Sequence, residues 1–228
     1  MSMILAIEEI DTLKDHLASR QKLNRFWKKK RATITSKLRQ EAEKYGDILF
    51  VNVTDVYRNL PAKLLQFHKW LYNHVNASHV LKTDDDCFVN IESVMSALGQ
   101  MDRKNGGHIW WGSFRDQWLV EQWGKWSELT YTADVYPRFA CGVGNVVSRD
   151  VHIWLGQNSN QLQTYQGEDV SMGIWMSAFN LNYIKDDRWK CDKNCSPDSL
   201  AIPELSPQEV RTMWSHKETC SDPCGCGG

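Results

Sequence analysis

The chain has 228 residues, 42% of them hydrophobic and 24% charged, which is the composition of an ordinary globular protein with room for one sizeable domain. Its net charge of -1 excludes the overall basic field that favours nucleic acid, so we expect no nucleic-acid partner. No stretch approaches the roughly 20 apolar residues of a membrane-spanning helix, and we expect no membrane anchor within this chain.

The first 45 residues are predicted to be helical and solvated. They contain eleven Lys or Arg against six Asp or Glu and neither Gly nor Pro, and the run FWKKKR is hardly amphipathic. We therefore divide the chain into a basic helical arm (residues 1–40), an α/β domain (residues 41–190) and a cysteine-rich tail (residues 191–228).

The segment after the arm alternates between strand and helix patterns. The apolar run 47–53 predicts a short strand, and apolar spacing predicts a helix from Asn59 as N-cap to about Val75. Residues 80–83 predict a second strand, and Asn90 is the expected N-cap of a second helix. The apolar face of that helix is expected to comprise Ile91, Val94, Met95 and Leu98. This alternation predicts an α/β domain with parallel strands.

The second half continues this pattern with an aromatic interruption. HIWWGSF (108–114), the glycine-punctuated run 141–148 and residues 182–187 predict strands. Short helices are expected from Asp150 and from Glu168, where acidic residues suit the positive end of the helix dipole. The region between the first two of these strands is irregular and rich in tryptophan. Aromatic clusters of this kind are mostly core, but they also form platforms for sugar rings.

Three consecutive aspartates follow the predicted strand in HVLKTDDDCFVN. Asp84, Asp85 and Asp86 would stand at the carboxyl edge of a parallel sheet, where ligands bind in α/β folds. Carboxylate oxygens are hard ligands suited to Mn²⁺ or Mg²⁺, which can clamp a diphosphate. The alternative is an acidic turn with an aspartate as N-cap of the next helix, and on this feature alone that alternative is favoured.

A second acidic pair, Glu168 and Asp169, follows Gly167 at a predicted helix start. A carboxylate there can point into a cleft and act as general base toward a hydroxyl. Taken alone, the pair is more readily explained as helix capping. Carboxylates that can bind a metal ion, a candidate general base and an aromatic cluster together indicate a site for sugar transfer.

Seven cysteines are unevenly distributed, with Cys87 and Cys141 in apolar surroundings and five in the tail. The irregular tail spacing favours disulfides over zinc, and disulfides indicate an oxidising compartment; the pairing stays open. Three glycosylation sequons begin at Asn52, Asn76 and Asn194, and Pro197 disfavours the third. Asn52 lies in a predicted strand, so Asn76, at a helix end, is the better acceptor.

Several segments resemble the β-1,3-glycosyltransferases of glycosyltransferase family 31. The segments are YGDILFVNVTDVYRNLPAKLLQFHKW, HVLKTDDDCFVN, Lys125-Trp126, Tyr136-Pro137 with CGVGNVVSRDV, and GEDVSMG, in the family's order and approximate spacing. The resemblance covers about residues 41–187. It implies a GT-A type, Rossmann-like catalytic domain and an inverting reaction that uses a UDP-sugar and Mn²⁺.

The resemblance also implies roles for individual residues. Asp86 would be the principal metal ligand, while Asp84 and Asp85 would address nucleotide, sugar or metal. Asp169 would remove the proton of the acceptor 3-hydroxyl, and Glu168 would shape the site. Further residues matching segments that line the donor and acceptor cleft are Lys125, Trp126, Tyr136, Gly142 and Gly144. For the two glycines the alternative is close backbone packing.

The tryptophan-rich middle and the tail look most like family members that transfer N-acetylgalactosamine. The expected donor is therefore UDP-GalNAc and the expected acceptor a terminal GlcNAc of a glycan on a glycoprotein. Full-length members are type II membrane proteins, held by a signal-anchor in the Golgi or endoplasmic reticulum.

The resemblance fails in front of residue 41, where family members have further strands that form much of the uridine site. We therefore expect a truncated domain that lacks its first strands and its anchor. Two alternatives follow: a non-catalytic form that binds glycan or a partner without donor, and, more remotely, a zinc-stapled interaction module centred on the tail.

Overall fold

The computed structural model describes residues 2–101 and 107–227, with side chains from residue 19 onward. The chain divides into two compact units, Met1–Phe50 and Val51–Gly228. The first unit is essentially one helix, α1 (Ser2–Tyr45), in agreement with the helical pattern. Gly46 ends it in the left-handed region (φ 70°), with its N–H bonded to the Ala42 carbonyl at 2.8 Å.

The predicted strand over residues 47–53 is wrong. The backbone there is irregular, and the bonds it makes are local turns such as Val53 N–H to the Val51 carbonyl at 2.9 Å. An apolar run becomes a strand when a neighbouring strand pairs with it, and the described residues supply none here. Asn52 is accordingly an exposed residue of a bend, so the objection to it as a strand residue falls away.

The second unit alternates helices and strands. A short 3₁₀ turn (Tyr57–Asn59) leads into α2. The helices are α2 (Leu60–His74), α3 (Ile91–Met101), α4 (Arg149–Asn158), α5 (Glu168–Met176) and α6 (Pro207–Cys220). The strands are β1 (His79–Thr83), β2 (Phe88–Val89), β3 (Ile109–Arg115), β4 (Phe139–Ser148), β5 (Asn182–Lys185) and β6 (Ala201–Ile202). Apart from residues 47–53, each predicted element is present with shifted ends.

The main sheet has the strand order β1-β4-β3-β5 and is mixed. Strand β4 is antiparallel to both of its neighbours, and β3 with β5 forms the parallel pair. The prediction of parallel strands is therefore wrong for β1, which pairs with β4 from His79↔Ser148 to Thr83↔Gly144. Local alternation of strand and helix does not specify the partner, and here the partner follows more than 60 residues later. A mixed α/β fold with a mixed sheet is consistent with a GT-A type domain.

Both faces of the sheet are covered, as adjacent residues of β3 show. Trp110 packs with residues of α2, α4 and α5, while Trp111 packs on the opposite face with α3 and Trp189. Both β3 tryptophans are fully buried. Because successive side chains of a strand point to opposite faces, a two-sided core reads as a continuous apolar run such as IWW.

Helix α3 buries a narrower stripe than its sequence indicates. Val94 and Leu98 are buried, whereas Ile91 and Met95 are 47% and 63% exposed, so half of the predicted face is wrong. The predicted cap is confirmed, since the Asn90 side-chain oxygen accepts the Ser93 N–H at 3.2 Å. The other predicted cap, Asn59, makes no such bond to α2; its side chain instead donates to the Thr54 carbonyl at 2.9 Å.

The tail folds back beside the aspartates and is closed by disulfides. Its cysteines pair as Cys141–Cys191, Cys195–Cys224 and Cys220–Cys226. Pairing uses every tail cysteine, so no tail thiolate is left for zinc, and the zinc-stapled module is not favoured. Residues 201–202 pair with β2, and Ser206 with Glu209 forms a capping box at the start of α6. None of the described helices is both long and apolar enough to cross a bilayer.

Candidate functional site

Lys82 on β1 is the centre of the site. Its ammonium donates to Asp84 Oδ1 at 2.7 Å, to the Gly142 carbonyl at 3.0 Å, and to the Glu168 carboxylate. These three partners belong to the end of β1, to β4 and to the start of α5. The side chain is 20% exposed. Burial alone would lower the pKa of Lys82, but the carboxylates of Glu168 and Asp84 outweigh it and raise that pKa, so the lysine stays charged.

The two acidic elements that the sequence singles out are thereby joined. Asp84 and Glu168, which are distant in sequence, share one ammonium. Lys82 itself is missing from the predicted site residues. A lysine in a strand ordinarily indicates a solvated face of the sheet. The sequence signal that could have identified Lys82 is its position two residues before the first aspartate.

The start of α5 is shaped by Gly167. A Cβ at this position would lie 2.6 Å from Asp169 Oδ1, so a side chain here would displace the carboxylate. Asp169 Oδ1 accepts the N–H of Val170 at 2.8 Å. Burial and the neighbouring Glu168 raise the pKa of Asp169 to about 6, against the lowering effect of that N–H and of Lys82. A carboxylate titrating so close to neutral pH is suited to accept a proton from a hydroxyl.

The three aspartates do not act as a helix cap, because Asn90 caps α3. Asp84 turns back to Lys82, while Asp85 and Asp86 are exposed in the turn between β1 and β2. The backbone of that turn is fixed from the tail, since the Asp86 carbonyl accepts the Leu205 N–H at 2.8 Å. The interpretation as an N-capping turn is therefore wrong.

Among the described side chains, those of residues 19–101 and 107–227, no three His, Cys, Asp or Glu residues converge into a metal-binding group. Asp84 is engaged by Lys82, which leaves Asp85 and Asp86 with solvent-facing carboxylates. Magnesium-like ions are commonly held by one or two carboxylates together with substrate phosphates and water. The residues present thus fit a divalent ion that completes its coordination with a bound diphosphate.

Lys125 and Trp126 form an exposed aromatic platform with Tyr57. The Lys125 ammonium lies 4.8 Å from the Tyr57 ring centroid and 5.4 Å from that of Trp126. The Trp126 indole N–H donates to the Tyr57 hydroxyl at 3.2 Å, and 54% of Trp126 is exposed. Rings held in this way offer an apolar face and polar edges, which is the chemistry of sugar recognition.

Glu128 is a buried carboxylate that sequence reasoning missed, since a Glu in a polar loop resembles a surface residue. It accepts from the Thr130 hydroxyl at 2.6 Å and from the Gln166 N–H at 2.8 Å. Burial would raise its pKa, but these hydrogen bonds outweigh burial and lower it. The Gln166 side chain donates to the Lys125 carbonyl at 2.7 Å. The platform is therefore fixed to the segment that enters α5.

Tyr136 is buried beside this segment. Its ring stacks on Tyr131 with centroids 5.5 Å apart. Burial raises the pKa of Tyr136 to about 12, with further contributions from the carboxylates of Glu128 and Asp169. Tyr136 is thus a neutral wall near Asp169.

The two predicted glycines stand where side chains would collide. A Cβ at Gly142 would lie 3.2 Å from Asp84 Oδ2. A Cβ at Gly144 would lie 3.0 Å from the Trp189 ring and 3.1 Å from the Lys82 carbonyl. Close packing against Trp189 and the β1 backbone is therefore the constraint at Gly144, whereas at Gly142 the close neighbour is the Asp84 carboxylate.

A small cleft, open to solvent, lies between the sheet and helices α2 and α5. Its polar lining includes Lys82, Glu168, Asp169 and His68. His68 is buried and stacks on His152 with ring centroids 6.3 Å apart. Burial, and to a lesser extent His152, lowers the pKa of His68 to about 3, so this histidine is neutral.

Neither Asn76 nor Asn52 has a described contact with Lys82 or with the three partners of its ammonium. Asn76 is exposed just after α2, and its side-chain oxygen accepts from the Arg149 guanidinium. Asn52 is exposed in the bend before the 3₁₀ turn.

Comparison with known proteins adds independent findings. The Galactosyltransferase family matches residues 27–187 of the chain. A UDP-GalNAc:beta-1,3-N-acetylgalactosaminyltransferase 2 from Danio rerio is 49% identical over 189 residues, covering 83% of this chain and 38% of that protein. The Homo sapiens protein of that name is 48% identical over 189 residues, with the same coverage. A beta-1,3-galactosyltransferase 6 from Mus musculus is 29% identical over 178 residues, covering 76% of this chain and 55% of the relative. The chain thus spans less than two-fifths of the length of the first two relatives.

Proposed function

Because the chain belongs to the galactosyltransferase family, we propose that it transfers N-acetylgalactosamine from UDP-GalNAc, in β-1,3 linkage, to a terminal GlcNAc of a glycan. The choice of donor rests on relatives named for this reaction that share about half of the aligned residues. The single structural observation that supports it is the shared ammonium of Lys82, which brings the aspartate turn and the Glu168-Asp169 pair into one site.

In the proposed reaction, Asp169 is the general base. Its carboxylate accepts the proton of the acceptor 3-hydroxyl as the oxygen forms a bond to the anomeric carbon of GalNAc. The bond from that carbon to the diphosphate breaks, and UDP leaves with the electron pair. One attack from the face opposite the leaving group inverts the configuration. Glu168 stays bound to Lys82 and shapes the site rather than reacting.

The donor side is assigned to the aspartate turn. Asp86 is the proposed principal ligand of Mn²⁺, assisted by Asp85, and Asp84 faces the sugar side through its contact with Lys82. When bound, Mn²⁺ neutralises charge on the diphosphate and so assists its departure. Gly142 leaves the space that the Asp84 carboxylate occupies.

The acceptor side is assigned to the aromatic platform. Lys125 and Trp126 are proposed to contact the acceptor sugar, with Tyr136 as a buried wall behind Asp169. Gly144 acts indirectly, by allowing Trp189 to pack against β4. We assign the reaction to residues 41–190, with residues 1–40 as an arm and residues 191–228 as a stabilising tail.

The lumen of the endoplasmic reticulum or Golgi is the proposed location. Three disulfides support an oxidising compartment. Asn76 and Asn52 are proposed glycosylation sites, because both are exposed outside helices and strands.

A transfer assay tests the proposal. The purified chain is incubated with Mn²⁺, a benzyl β-GlcNAc acceptor and, in separate reactions, UDP-GalNAc, UDP-galactose or UDP-GlcNAc. We expect a β-1,3-linked disaccharide from UDP-GalNAc, lost on chelation and in Asp169→Asn, and retained in the matched variant Asp187→Asn. Absence of transfer, with a full-length relative active in the same mixture, would overturn the proposal. Calorimetry with UDP and Mn²⁺ then identifies the non-catalytic alternative by the absence of metal-dependent heat.

A further inference from the structure

We propose that Lys82 is a positioning residue for the transfer reaction. Its ammonium fastens the first turn of α5 to β4 and to Asp84, and thereby holds the Asp169 carboxylate in a fixed place beside the aspartate turn. This inference rests on the proposed function, because the base that Lys82 positions is the base assigned there.

The geometry supports a fastening role. An ammonium has three donors, and Lys82 directs them to three partners: Asp84 Oδ1 at 2.7 Å, the Gly142 carbonyl at 3.0 Å and the Glu168 carboxylate. Gly142 and Glu168 lie 60 and 86 residues from Lys82 in sequence. One side chain therefore joins three elements that are otherwise connected through long segments.

The location of these contacts links Lys82 to Asp169. Glu168 precedes Asp169 directly, and the Ser171 N–H bonds to the Gly167 carbonyl at 3.0 Å, which closes the first turn of α5. The Glu168 side chain is 16% exposed, so releasing it would leave a carboxylate that water solvates only partly. Without Lys82, the turn would be expected to move so that Glu168 reaches water, and Asp169 would move with it.

The charges around Asp169 provide a second consequence. The titratable groups that face it are Glu168, Lys82 and Tyr136, with the neutral His68 lining the same cleft, and Lys82 opposes the repulsion from Glu168. Burial and Glu168 raise the pKa of Asp169 while Lys82 lowers it. Removing the ammonium should therefore move the pH at which the base becomes active to a higher value.

The experiment compares Lys82→Met, Lys82→Arg and the matched control Lys185→Met. Lys185 is also a strand lysine paired with an aspartate, but its side chain is 65% exposed and it stands at the end of β5. Two readouts are taken on the purified chain: hydrogen exchange of the backbone amides of residues 167–171, and the pH dependence of transfer from UDP-GalNAc.

For Lys82→Met we expect faster hydrogen exchange confined to residues 167–171. We also expect kcat to fall on the order of 10²-fold with the donor KM little changed. The rise of the transfer rate with pH, the ascending pH limb, should occur at a higher pH than in the parent chain. Lys82→Arg should recover part of kcat and return the pH limb, because it restores the charge with a bulkier head group. Lys185→Met should match the parent chain in both readouts.

Unchanged exchange and an unshifted pH limb in folded Lys82→Met would overturn the inference. If that variant fails to fold, Lys82→Met combined with Glu168→Gln removes both charges, and exchange at residues 167–171 alone decides, because the opposing effects of Lys82 and Glu168 on the pKa of Asp169 are then both lost. An inactive parent chain refutes the proposed function, whereas exchange at residues 167–171 still decides whether Lys82 fastens the turn.

Discussion

The buried carboxylate of Glu128 accepts a hydrogen bond from the backbone N–H of Gln166 at 2.8 Å. This bond joins the aromatic platform to the segment that enters α5, over 38 residues of sequence. The acceptor-side platform and the proposed base are thus parts of one hydrogen-bonded assembly.

Replacing Glu128 with Gln should loosen that assembly. The variant keeps the shape of the side chain but loses the negative charge that strengthens the hydrogen bonds from Thr130 and Gln166. The new amide NH₂ group also faces N–H or O–H groups that donate in the parent chain, so hydrogen bonds are lost. We expect a loss of about 2 kcal/mol in the free energy of unfolding and a higher KM for the acceptor with the donor KM unchanged. Urea denaturation and steady-state kinetics measure both. Glu121→Gln is the control, and equal effects in the two variants would contradict the role given to Glu128.

Gly167→Ala should displace the Asp169 carboxylate, the proposed base, without unfolding the protein. The added Cβ would meet Asp169 Oδ1 at 2.6 Å, so the carboxylate must move away. We expect transfer to fall at least about tenfold, since small misplacements of a catalytic group are costly. The control is Gly99→Ala in α3, where a Cβ meets nothing within 4 Å. Gly99→Ala should be fully active and more stable by about 0.5–1 kcal/mol. Equal activity of the two variants would refute the steric argument.

Local patterns predicted much of this fold because they depend on neighbouring residues. The apolar spacing of α2, the Asn90 cap of α3 and the aspartates at the end of β1 could be read directly from the sequence, whereas the capping bond expected of Asn59 and half of the apolar face of α3 could not. Pairing could not: whether β1 lies parallel or antiparallel to β4 depends on contacts between residues such as His79 and Ser148. The run 47–53 was misread for the same reason, since an apolar segment does not reveal whether a partner strand exists.

The acids of the candidate site stand out in the sequence, whereas the residues that hold them in place do not. Asp84, Glu168 and Asp169 follow recognisable strand and helix ends, whereas Lys82 and Glu128 matter through partners that lie up to 86 residues away. Charged residues in a strand or loop are usually solvated. Their burial becomes apparent only when the fold brings opposite charges or backbone N–H groups to them.

Asp84 and Asp86 should contribute unequally to the binding of Mn²⁺ by the aspartate turn. Asp84 is already paired with Lys82, whereas the Asp86 carboxylate faces solvent. Asp86→Asn should therefore weaken Mn²⁺ binding in the presence of UDP by at least about tenfold, and Asp84→Asn by much less. The bound fraction is measured by the electron paramagnetic resonance signal of free Mn²⁺. Equal weakening by the two variants would show that Asp84 is a ligand in spite of its ion pair.

Acid should destabilise the protein through His68. Its pKa is about 3 in the folded chain, against 6.5 ordinarily, because it is buried between α2 and α4 beside His152. The unfolded chain therefore takes up a proton below pH 6.5 that the folded chain refuses, so the contribution of His68 to stability falls as the pH falls. Asp169, whose pKa is raised to about 6, is protonated in the folded chain over the same range and offsets part of this loss. Between pH 6.5 and 5 this single group should cost about 2 kcal/mol.

Urea denaturation at several pH values tests this account with His68→Phe, which keeps a ring in the site but cannot be protonated. Its loss of stability between pH 6.5 and 5 should be smaller than that of the parent chain by about 2 kcal/mol. The charged groups that line the same cleft are Lys82, Glu168 and Asp169, and their titration is common to both proteins. The control is His74→Phe on the exposed end of α2, which should keep the full pH dependence of the parent. If His68→Phe and His74→Phe lose stability in parallel with the parent, the acid sensitivity arises elsewhere.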